Sequence, residues 1–280
     1  MNKKPLVSIV IPTKNSGLFL ENCLKSIKKQ VYKNIEIIVV DSHSMDNTIE
    51  IAKKYRAQVL QFDPKLPKSK FDAPHRRNYG VKKSKGEYVY YADADYELDP
   101  NVVKESVSKC LQGFDAVVIP LDTFGTGIWT QAKTLERRCY FEDDTVEAPR
   151  FIKKSVWEKV GGLDENIAGG GDDWDLYRKL VDQNYKVGRI KTIVKHNEGN
   201  LTLMKLFKKA FMYGQDVMKY FQKRPKNALI SYFPIRKGYI KNWRLLFKNP
   251  KVTLTLIIIR FVEYFGGLLG ILYSLLNHNE

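Results

Sequence analysis

The chain has 280 residues, 44% of them apolar, so a sizeable buried core is expected and intrinsic disorder is not. Its three cysteines, Cys23, Cys110 and Cys139, are scattered, which excludes a disulfide framework and a cysteine-rich metal site and indicates a reducing compartment. The net charge of +16 is uneven, because residues 201–251 alone carry +12. A partner that attracts basic charge therefore belongs to the last quarter of the chain.

The first part of the chain alternates apolar runs with segments of helical spacing. Strands are predicted at residues 7–12, 35–40, 57–62 and 87–92, and helices after Asn15, between Asp46 and Tyr55, and at residues 76–83. The first run is too short for a secretory signal, so we expect the protein to stay in the cytoplasm. This alternation predicts an α/β fold with a mostly parallel sheet covered by helices on both faces. Ligands of such sheets bind beyond the carboxyl ends of the strands.

The middle of the chain continues the pattern and then becomes rich in glycine. A helix is predicted at residues 102–111, a strand at 115–119 and a helix at 129–141, followed by glycine-rich segments at 161–165 and 169–175. Glycine permits tight turns and close approach of the backbone to a ligand, so acids beside it are candidates for a substrate cleft. Asp172 is one such acid, but it is equally well placed to cap a helix predicted at residues 174–182.

Two aspartates, Asp93 and Asp95, come where the fourth predicted strand ends. Side chains alternate across an extended strand, so residues 93, 95 and 97 would share one face. Carboxylates this close repel one another unless a cation lies between them, and their hard oxygen atoms favour Mg²⁺ or Mn²⁺. The pair predicts a metal site that binds the phosphates of a substrate, and the alternative is a solvated turn after a strand.

Six segments stand out along the chain. In order they are Val7-Ser-Ile-Val-Ile-Pro-Thr-Lys-Asn15, Val39-Val-Asp-Ser-His-Ser-Met-Asp-Asn-Thr48, Arg77-Asn-Tyr-Gly80, Asp93-Ala-Asp95, Gly161-Gly-Leu-Asp-Glu165 and Asp172-Asp-Trp-Asp-Leu-Tyr-Arg178. Together and in this order, they resemble the family 2 glycosyltransferases. The resemblance covers about residues 5–197 and implies an inverting enzyme with a GT-A fold. Within the family, the chain resembles the polyprenyl- and dolichyl-phosphate-sugar synthases and the enzymes that act on lipid-linked glycans.

The resemblance implies a role for residues along the nucleotide. Pro12 and Thr13 would lie against the nucleotide, and Asp41 would accept hydrogen bonds from the base or the ribose, which suits an ionised carboxylate. Arg77 matches a position near the diphosphate, where a guanidinium pairs bidentately with phosphate oxygens. Arg76 would either be solvated or take the place of Arg77.

The resemblance also implies the cofactor, Mn²⁺ or Mg²⁺, and its ligands. Asp95 would be the direct ligand of the ion that bridges the diphosphate, and Asp93 would contact the ribose or metal-bound water. His196 resembles a late histidine that adds a metal or phosphate contact, and its alternative is a structural or surface role. The ion would neutralise charge on the leaving nucleoside diphosphate.

Inverting transfer needs a base that deprotonates the acceptor hydroxyl. The resemblance assigns the base to an acidic pair, usually Glu-Asp, which here reads Asp172-Asp173, and we predict Asp173 with Asp172 as the alternative. Asp175 and Arg178 would orient the pair. Arg150 and Lys153 would meet an acceptor phosphate or form a solvated basic loop.

The C-terminal quarter predicts a membrane surface as partner. Residues 201–251 interleave aromatic and basic side chains, as an interfacial helix on anionic lipid does. Residues 252–276 are apolar except for Arg260 and Glu263, which argues against nucleic acid as the partner and makes spanning of a bilayer costly. We predict a monotopic anchor rather than one true span, and the glycines at 266, 267 and 270 leave packing on the preceding helices or a homodimer open.

Three regions are thus predicted: a catalytic domain at residues 1–200, a basic helical region at 201–251 and a membrane-anchoring segment at 252–280. The predicted activity is metal-dependent transfer of a sugar from a UDP- or GDP-sugar to a polyprenyl phosphate or lipid-linked glycan, at the cytoplasmic face of the membrane. One alternative is a sugar nucleotidyltransferase, although the loop at residues 13–17 lacks the glycine-rich, arginine-containing sequence of that class. Another is a non-catalytic basic adaptor, against which the intact acids at 93, 95 and 173 argue.

Overall fold

A computed structural model of the protein describes residues 4–63, 72–167 and 171–277. The described residues form two compact units that are interleaved along the chain. The first unit lies within residues 1–121, 148–165 and 176–197, and the second within residues 122–147, 166–175 and 198–280. The predicted regions follow chain order instead, and that division stays a prediction. The glycines at 169 and 170 lie outside the described residues.

The described residues contain ten strands and twelve helices. The strands are β1 (Val7–Thr13), β2 (Ile35–Asp41), β3 (Gln58–Gln61), β4 (Tyr88–Tyr91), β5 (Tyr96–Leu98), β6 (Ala116–Val118), β7 (Leu121–Thr126), β8 (Pro149–Lys153), β9 (Val187–Arg189) and β10 (Val194–Asn200). The helices are α1 (Gly17–Lys28), α2 (Thr48–Lys54), α3 (Ala73–Lys83), α4 (Val102–Leu111), α5 (Gly127–Cys139), α6 (Lys154–Val160), α7 (Gly171–Asp182), α8 (Leu203–Lys223), α9 (Pro225–Tyr232), α10 (Lys237–Lys241), α11 (Trp243–Lys248) and α12 (Pro250–Asn277).

The first unit is built on a seven-stranded sheet with the order β3-β2-β1-β4-β8-β6-β9. All neighbouring strands run parallel except β8, which is antiparallel to both β4 and β6. The register of β1 and β2 places Thr13 beside Asp41, so the two strands end together. A smaller sheet has the order β5-β10-β7. The predicted α/β class with a mostly parallel sheet is confirmed.

Alternating side chains of the central strands supply a core on each face of the large sheet. Ile9 and Val39 pack on one side, in a cluster that includes residues of α1 and α4, whereas Val10 and Ile38 pack on the other with residues of α3, α6 and α7. Both faces are buried because the connections between parallel strands are helices, and this explains the continuous apolar sequence of the strands. The predicted helices on both faces are therefore present.

Some element boundaries differ from the sequence-based expectation. β4 ends at Tyr91, and Asp93 and Asp95 lie in a turn before β5, closed by the Tyr96 amide, which donates to the Asp93 carbonyl at 3.2 Å. The two acids therefore do not share the face of a strand. α7 begins at Gly171, so Asp172 lies within its first turn rather than capping a helix that begins at residue 174.

The second unit contains the long helices α8 and α12, which pack on each other, and α12 also packs on α5. The backbones of α8 and α12 approach closely at glycines. A Cβ at Gly214 would lie 2.2 Å from the Gly267 carbonyl oxygen, and one at Gly270 would lie 2.0 Å from the Phe211 carbonyl oxygen. The glycine face of α12, which left a homodimer open in the sequence, is thus covered by α8 of the same chain.

Within the described residues, α12 is the one helix long and apolar enough to cross a membrane, with a mean hydropathy of 1.8. Only 28% of its most apolar window is buried. By length and composition alone, such a helix is weak evidence for a membrane protein.

Candidate active site

The carboxyl ends of β1 and β2 form one part of the candidate site, in the first unit. The Thr13 hydroxyl donates to Asp41 Oδ1 at 2.8 Å, and the Ser44 amide and hydroxyl donate to the same carboxylate at 2.8 and 2.6 Å. Asp41 is fully buried. An ionised carboxylate offers about four lone-pair positions, so three protein donors leave room for one more. Pro12, which precedes Thr13 on β1, lies beside Val40 of β2.

Arg76 buttresses this edge of the sheet rather than facing solvent. Its guanidinium donates to the Thr13 carbonyl at 2.7 Å and pairs with Asp72 at 2.7 Å. Asp72 in turn accepts a hydrogen bond from Ser42 at 3.0 Å. Burial lowers the pKa of Arg76, and the Asp72 charge opposes that shift. Arg76 therefore fixes the end of β1 and the loop after β2.

Asp93 is held between two arginines. Arg77 of α3 donates to Oδ1 at 2.5 Å, and Arg150 of β8 donates to Oδ2 at 2.9 Å. Both guanidinium groups lie 5.4 Å from the ring centroid of Tyr91. Burial alone would raise the pKa of Asp93, but the charges of Arg150 and Arg77 outweigh it and hold the pKa well below its usual range. Asp93 is consequently an anion that orients two cations.

Asp95 is less completely engaged than its neighbour. Its Oδ2 lies 3.1 Å from His196 Nε2, and its carbonyl accepts from the Asn197 amide at 2.9 Å. Its Oδ1 is buried and has no hydrogen-bond partner. The ring of His196 is set by edge contact with Tyr96, with centroids 5.2 Å apart. A buried carboxylate oxygen without a partner is costly unless a ligand takes it up.

The donor chemistry around Asp95 fits a divalent cation that takes part of its coordination from a substrate. Carboxylate oxygens suit Mg²⁺ and Mn²⁺, and such ions commonly bind one or two carboxylates together with substrate phosphates. Among the residues that the structure describes, no three His, Cys, Asp or Glu side chains are grouped to hold a metal by themselves. The protein would therefore supply only a partial coordination shell.

The segment that carries Arg77 is tied to the glycine-rich turn after α6. Asn78 donates to the Leu163 carbonyl and to Glu165, both at 2.9 Å, and accepts from the Leu163 amide at 3.0 Å. Gly162 adopts a φ of +61°, and a Cβ there would meet Asn78 Oδ1 at 2.6 Å. The segment Gly161–Glu165 is thus tied to α3, and the left-handed φ of Gly162 together with its close approach to Asn78 accounts for a glycine at that position.

The predicted base segment belongs to the second unit. Asp172 and Asp173 lie in the first turn of α7, where negative charge is favoured by the helix dipole, and Asp172 is 3% exposed. Asp175 is fully buried and pairs with Lys223 at 2.8 Å and with Arg224 at 3.1 Å. The Trp174 indole donates to the Val146 carbonyl at 2.9 Å. The first turn of α7 is therefore anchored to the end of α8.

Sequence reasoning missed two sets of contacts. Arg150, interpreted as an acceptor contact or loop residue, instead meets Asp93, while Lys153 on the same strand pairs with Asp115 at 2.8 Å. Lys223 and Arg224 were assigned only to a basic surface. The contact of Arg150 with Asp93 follows from the strand order, in which β8 lies next to β4. No local sequence pattern indicates that the two strands pair.

Residues 8–162 match the model of the family described as "Glycosyl transferase family 2". The match covers more than half of the chain and includes Asp41, Arg77, Asp93 and Asp95. The chain therefore belongs to glycosyl transferase family 2.

Curated relatives agree with this assignment. "Glycosyltransferase GlyG" of Streptococcus pneumoniae is 36% identical over 114 residues, which are 41% of this chain and 38% of the relative. The "GalNAc(5)-diNAcBac-PP-undecaprenol beta-1,3-glucosyltransferase" of Campylobacter jejuni is 23% identical over 267 residues, with 87% of this chain and 86% of the relative covered. The chain spans about a third of the length of the first three relatives, with coverages of 38%, 32% and 31%.

Solved structures show the same fold. The mannosyltransferase PcManGT from Pyrobaculum calidifontis, in complex with GDP-Man and Mn²⁺, has a TM-score of 0.66 and 15% identity, with 99% of this chain and 89% of that chain covered. TarS of S. aureus in complex with UDP-GlcNAc has a TM-score of 0.57 and 14% identity, with coverages of 96% and 89%. The predicted GT-A fold is confirmed, and at these identities the likeness is one of fold alone.

Proposed function

We propose that the protein is a metal-dependent, inverting glycosyltransferase that moves a sugar from a UDP- or GDP-sugar to a lipid-linked acceptor. The observation that carries this proposal is the turn between β4 and β5. There Asp93 orients two guanidinium groups, and Asp95 keeps a buried oxygen atom without a hydrogen-bond partner. Cations and an available carboxylate oxygen side by side are what a metal-bound diphosphate requires.

Arg77 and Arg150 are the groups proposed to bind the donor diphosphate. Each guanidinium carries five N–H donors in a planar fork, so each can keep its bond to Asp93 and still donate to a phosphate oxygen. Their stacking on Tyr91 limits rotation and keeps both forks oriented before the donor arrives. Thr13 and Asp41 are proposed to contact the nucleoside, with the remaining acceptor capacity of Asp41 directed to the base or ribose.

Asp95 is proposed as the ligand of Mn²⁺ or Mg²⁺, with support from Asp93 and His196. A carboxylate with an imidazole beside it favours Mn²⁺, since imidazole is a poor ligand for Mg²⁺. When bound, the ion would neutralise negative charge on the departing nucleoside diphosphate. The solved structure of PcManGT contains Mn²⁺ and GDP-Man, which supports the same class of cofactor and donor here.

Asp173 is the proposed base, and Asp172 is the alternative. The base takes the proton from the acceptor hydroxyl as that oxygen attacks the anomeric carbon. The bonds of Asp175 to Lys223 and Arg224 hold the turn that carries both acids, which gives a base the fixed position that proton transfer demands.

A lipid-linked acceptor is supported by two observations. The relative from Campylobacter jejuni, matched along most of both chains, is named for an undecaprenol-linked acceptor. The C-terminal region of this chain combines a charge of +12 at residues 201–251 with a long apolar helix. Together they favour an enzyme at the cytoplasmic face of a membrane, with a polyprenyl phosphate or lipid-linked glycan as acceptor.

Release of nucleoside diphosphate tests the proposal. The purified chain is incubated with Mn²⁺ or Mg²⁺, a panel of UDP- and GDP-sugars, and a polyprenyl phosphate or lipid-linked glycan. We expect release only when metal, one donor and the acceptor are all present. Release of pyrophosphate from a nucleoside triphosphate and a sugar phosphate would identify a nucleotidyltransferase instead. A folded chain that binds no nucleotide would identify an adaptor.

Two variants separate the proposed roles. Asp95→Ala should abolish metal-dependent nucleotide binding, measured by calorimetry, whereas Asp173→Ala should preserve binding and remove turnover. Asp115→Ala, which removes an acid of the first unit outside the candidate site, is the control and should preserve both binding and turnover. Full activity in Asp95→Ala and Asp173→Ala would contradict the proposed roles.

A further inference from the structure

Two charged residues near the middle of α12, Arg260 and Glu263, are engaged with α5 inside the second unit. Glu263 accepts from Lys133 at 3.0 Å and from Arg260 at 2.9 Å, and Arg260 also lies 3.3 Å from Glu136. Lys133 and Glu136 form an ion pair with each other. Two acids and two bases thus balance in one cluster, called here the ionic lock, which joins the middle of α12 to α5.

Tyrosines complete the ionic lock. The hydroxyl groups of Tyr140 and Tyr239 each donate to Glu136 at 2.8 Å, and Arg260 donates to the Tyr264 hydroxyl at 2.6 Å. The side chain of Glu136 is 4% exposed. All four carboxylate oxygens of the lock have partners, as a buried polar network needs if it is to stabilise a protein.

The opposite face of α12 is apolar and exposed. Large apolar side chains recur there every three or four residues, and each is between 41% and 73% exposed. This face, called here the outer stripe, includes Leu254, Ile258, Phe261, Phe265, Leu268 and Leu272. At about 1.5 Å per residue the stripe is roughly 27 Å long. A continuous apolar surface of this length is unusual on a soluble protein and indicates a partner.

The ionic lock makes a transmembrane position of α12 energetically unfavourable. Arg260 and Glu263 lie near the middle of the helix Pro250–Asn277, so a span would put them near the bilayer centre. There they would either leave Lys133 and Glu136 without their partners or take α5 into the hydrocarbon with them. Both alternatives are costly, because buried charges need their partners and charges at the bilayer centre are unfavourable.

The surroundings of the stripe identify its partner as lipid. α11 packs on α12 and exposes Trp243 and Phe247 next to the exposed cations Arg244 and Lys248. Aromatic side chains interleaved with basic ones match the boundary between acyl chains and anionic headgroups. A second copy of the chain would instead bring like charges together, since residues 201–251 carry +12.

We propose that α12 lies in the plane of an anionic membrane, with its outer stripe in the acyl region and its inner face locked to α5 and α8. This inference rests on the proposed function, in which the acceptor is linked to a membrane lipid, and adds how the enzyme would lie on that membrane. The helix would keep the enzyme on the surface that carries its acceptor, without crossing the bilayer.

Flotation of the full chain with lipid vesicles tests the stripe. The double variant Phe261→Glu/Leu268→Glu replaces two exposed side chains, and binding to vesicles of phosphatidylcholine with phosphatidylserine should weaken about tenfold or more. Val31→Glu/Leu111→Glu, which places the same two charges at exposed apolar side chains of the first unit, is the matched control and should bind like the native chain. Unchanged flotation of the double variant would overturn the proposal.

Depth measurements distinguish an in-plane helix from a span. Single cysteines at Leu254, Phe265 and Leu275 are labelled with a fluorophore, and quenching by lipids that carry spin labels at different depths locates each one. The proposal requires similar depths for all three. A span requires Phe265 to lie about 15 Å deeper than the other two, since the hydrocarbon is about 30 Å thick.

Self-association and enzymatic activity are followed in parallel. If the double variant converts an oligomer to a monomer and still floats like the native chain, the stripe is an interface between copies and the proposal is wrong. Nucleotide binding separates this proposal from the proposed function, because it depends on Asp95 and not on α12. A chain that floats but binds no nucleotide would contradict the proposed function alone.

Discussion

The two units of the molecule each contain a cluster of buried acids and bases, and the clusters differ in how completely they are satisfied. In the first unit, Asp93 has two arginine partners, but Oδ1 of Asp95 has no hydrogen-bond partner. In the second unit, every carboxylate oxygen of Glu136 and Glu263 accepts from a neighbour. The two clusters contain nearly the same residue types, so their composition does not distinguish a ligand-binding site from a stabilising ionic network.

Whether every oxygen atom of a buried ionic cluster has a hydrogen-bond partner therefore decides the role of that cluster. A network in which every oxygen is occupied has nothing to offer a ligand, and its loss is felt as instability. A network with one buried oxygen left over stores an unfavourable interaction that a cation would relieve. The first cluster should therefore respond to substitution in activity, and the second in stability.

A substitution in the ionic lock should have the strongest consequence, a loss of stability. Arg260→Met leaves Glu136 buried beside one cation instead of two, which should cost about 3–5 kcal/mol of unfolding free energy. Urea denaturation of the second unit measures the loss. Arg244→Met, at an exposed arginine of α11, should change it by less than about 0.5 kcal/mol. Equal losses in the two variants would show that the lock is not a stabilising network.

The next effect is on activity, from a change in the incomplete cluster. Asp95→Asn should lower turnover about a hundredfold or more, because electrostatic stabilisation of the leaving group is lost. Its unfolding free energy should change by less than about 1 kcal/mol, since Oδ1 has no protein donor to lose and an amide can keep the contact of Oδ2 with His196. Asp115→Asn, which loses the ion pair to Lys153, should retain turnover. A large loss of stability in Asp95→Asn would erase the contrast between the clusters.

Acid should weaken the ionic lock in a way that depends on Glu136. Burial would raise the pKa of Glu136, but Lys133 and Arg260 hold it well below its ordinary value of 4.5. The carboxylate therefore stabilises the fold fully above pH 4.5, and this contribution falls by up to about 1.4 kcal/mol per pH unit as the pH decreases further. The groups that face it are Lys133, Arg260, Glu263, Tyr140 and Tyr239.

Denaturation of the native chain and Glu136→Gln across this pH range measures the contribution. The native chain should be the more stable at neutral pH, and the difference should shrink below pH 4.5. A difference that stays constant with pH would show that Glu136 has the same pKa in the folded and unfolded chain.

The smallest effect sharpens the role of Arg150. Arg150→Lys keeps the charge beside Asp93 but loses the planar fork, so the KM for the nucleotide-sugar should rise about fivefold, or on the order of 1 kcal/mol. The kcat should change less, because the proton transfer does not involve this residue. Lys153→Arg on the same strand is the control and should leave KM unchanged. An unchanged KM in Arg150→Lys would remove Arg150 from the donor site.

Local patterns predicted much of the first unit. The apolar runs located β1, β2 and β4, and the acids at 93 and 95 were found because they end such a run. Arg150 could not be assigned from local patterns, since its contact with Asp93 joins residues 57 positions apart. That contact depends on β8 entering the sheet antiparallel to β4. Periodicity within a segment carries no information about which distant strand becomes its neighbour.

The second unit shows the same limit more strongly. The sequence predicts a long apolar segment in which Arg260 and Glu263 make spanning of a bilayer costly. It does not identify their partners on α5, which lie as much as 130 positions away. The glycines of α12 were likewise open to several interpretations until α8 was found against them.

The ion pairs of Asp175 with Lys223 and Arg224 bear on how this enzyme can be dissected. Chains cut after residue 200 to remove the proposed membrane-binding region would leave a fully buried carboxylate without either counter-ion, on the turn that carries the predicted base. Such a chain should lose catalysis even if membrane contact were irrelevant to it. The C-terminal region thus supports the turn that carries the predicted base, in addition to its proposed role at the membrane, and point substitutions on its outer surface are needed to separate the two.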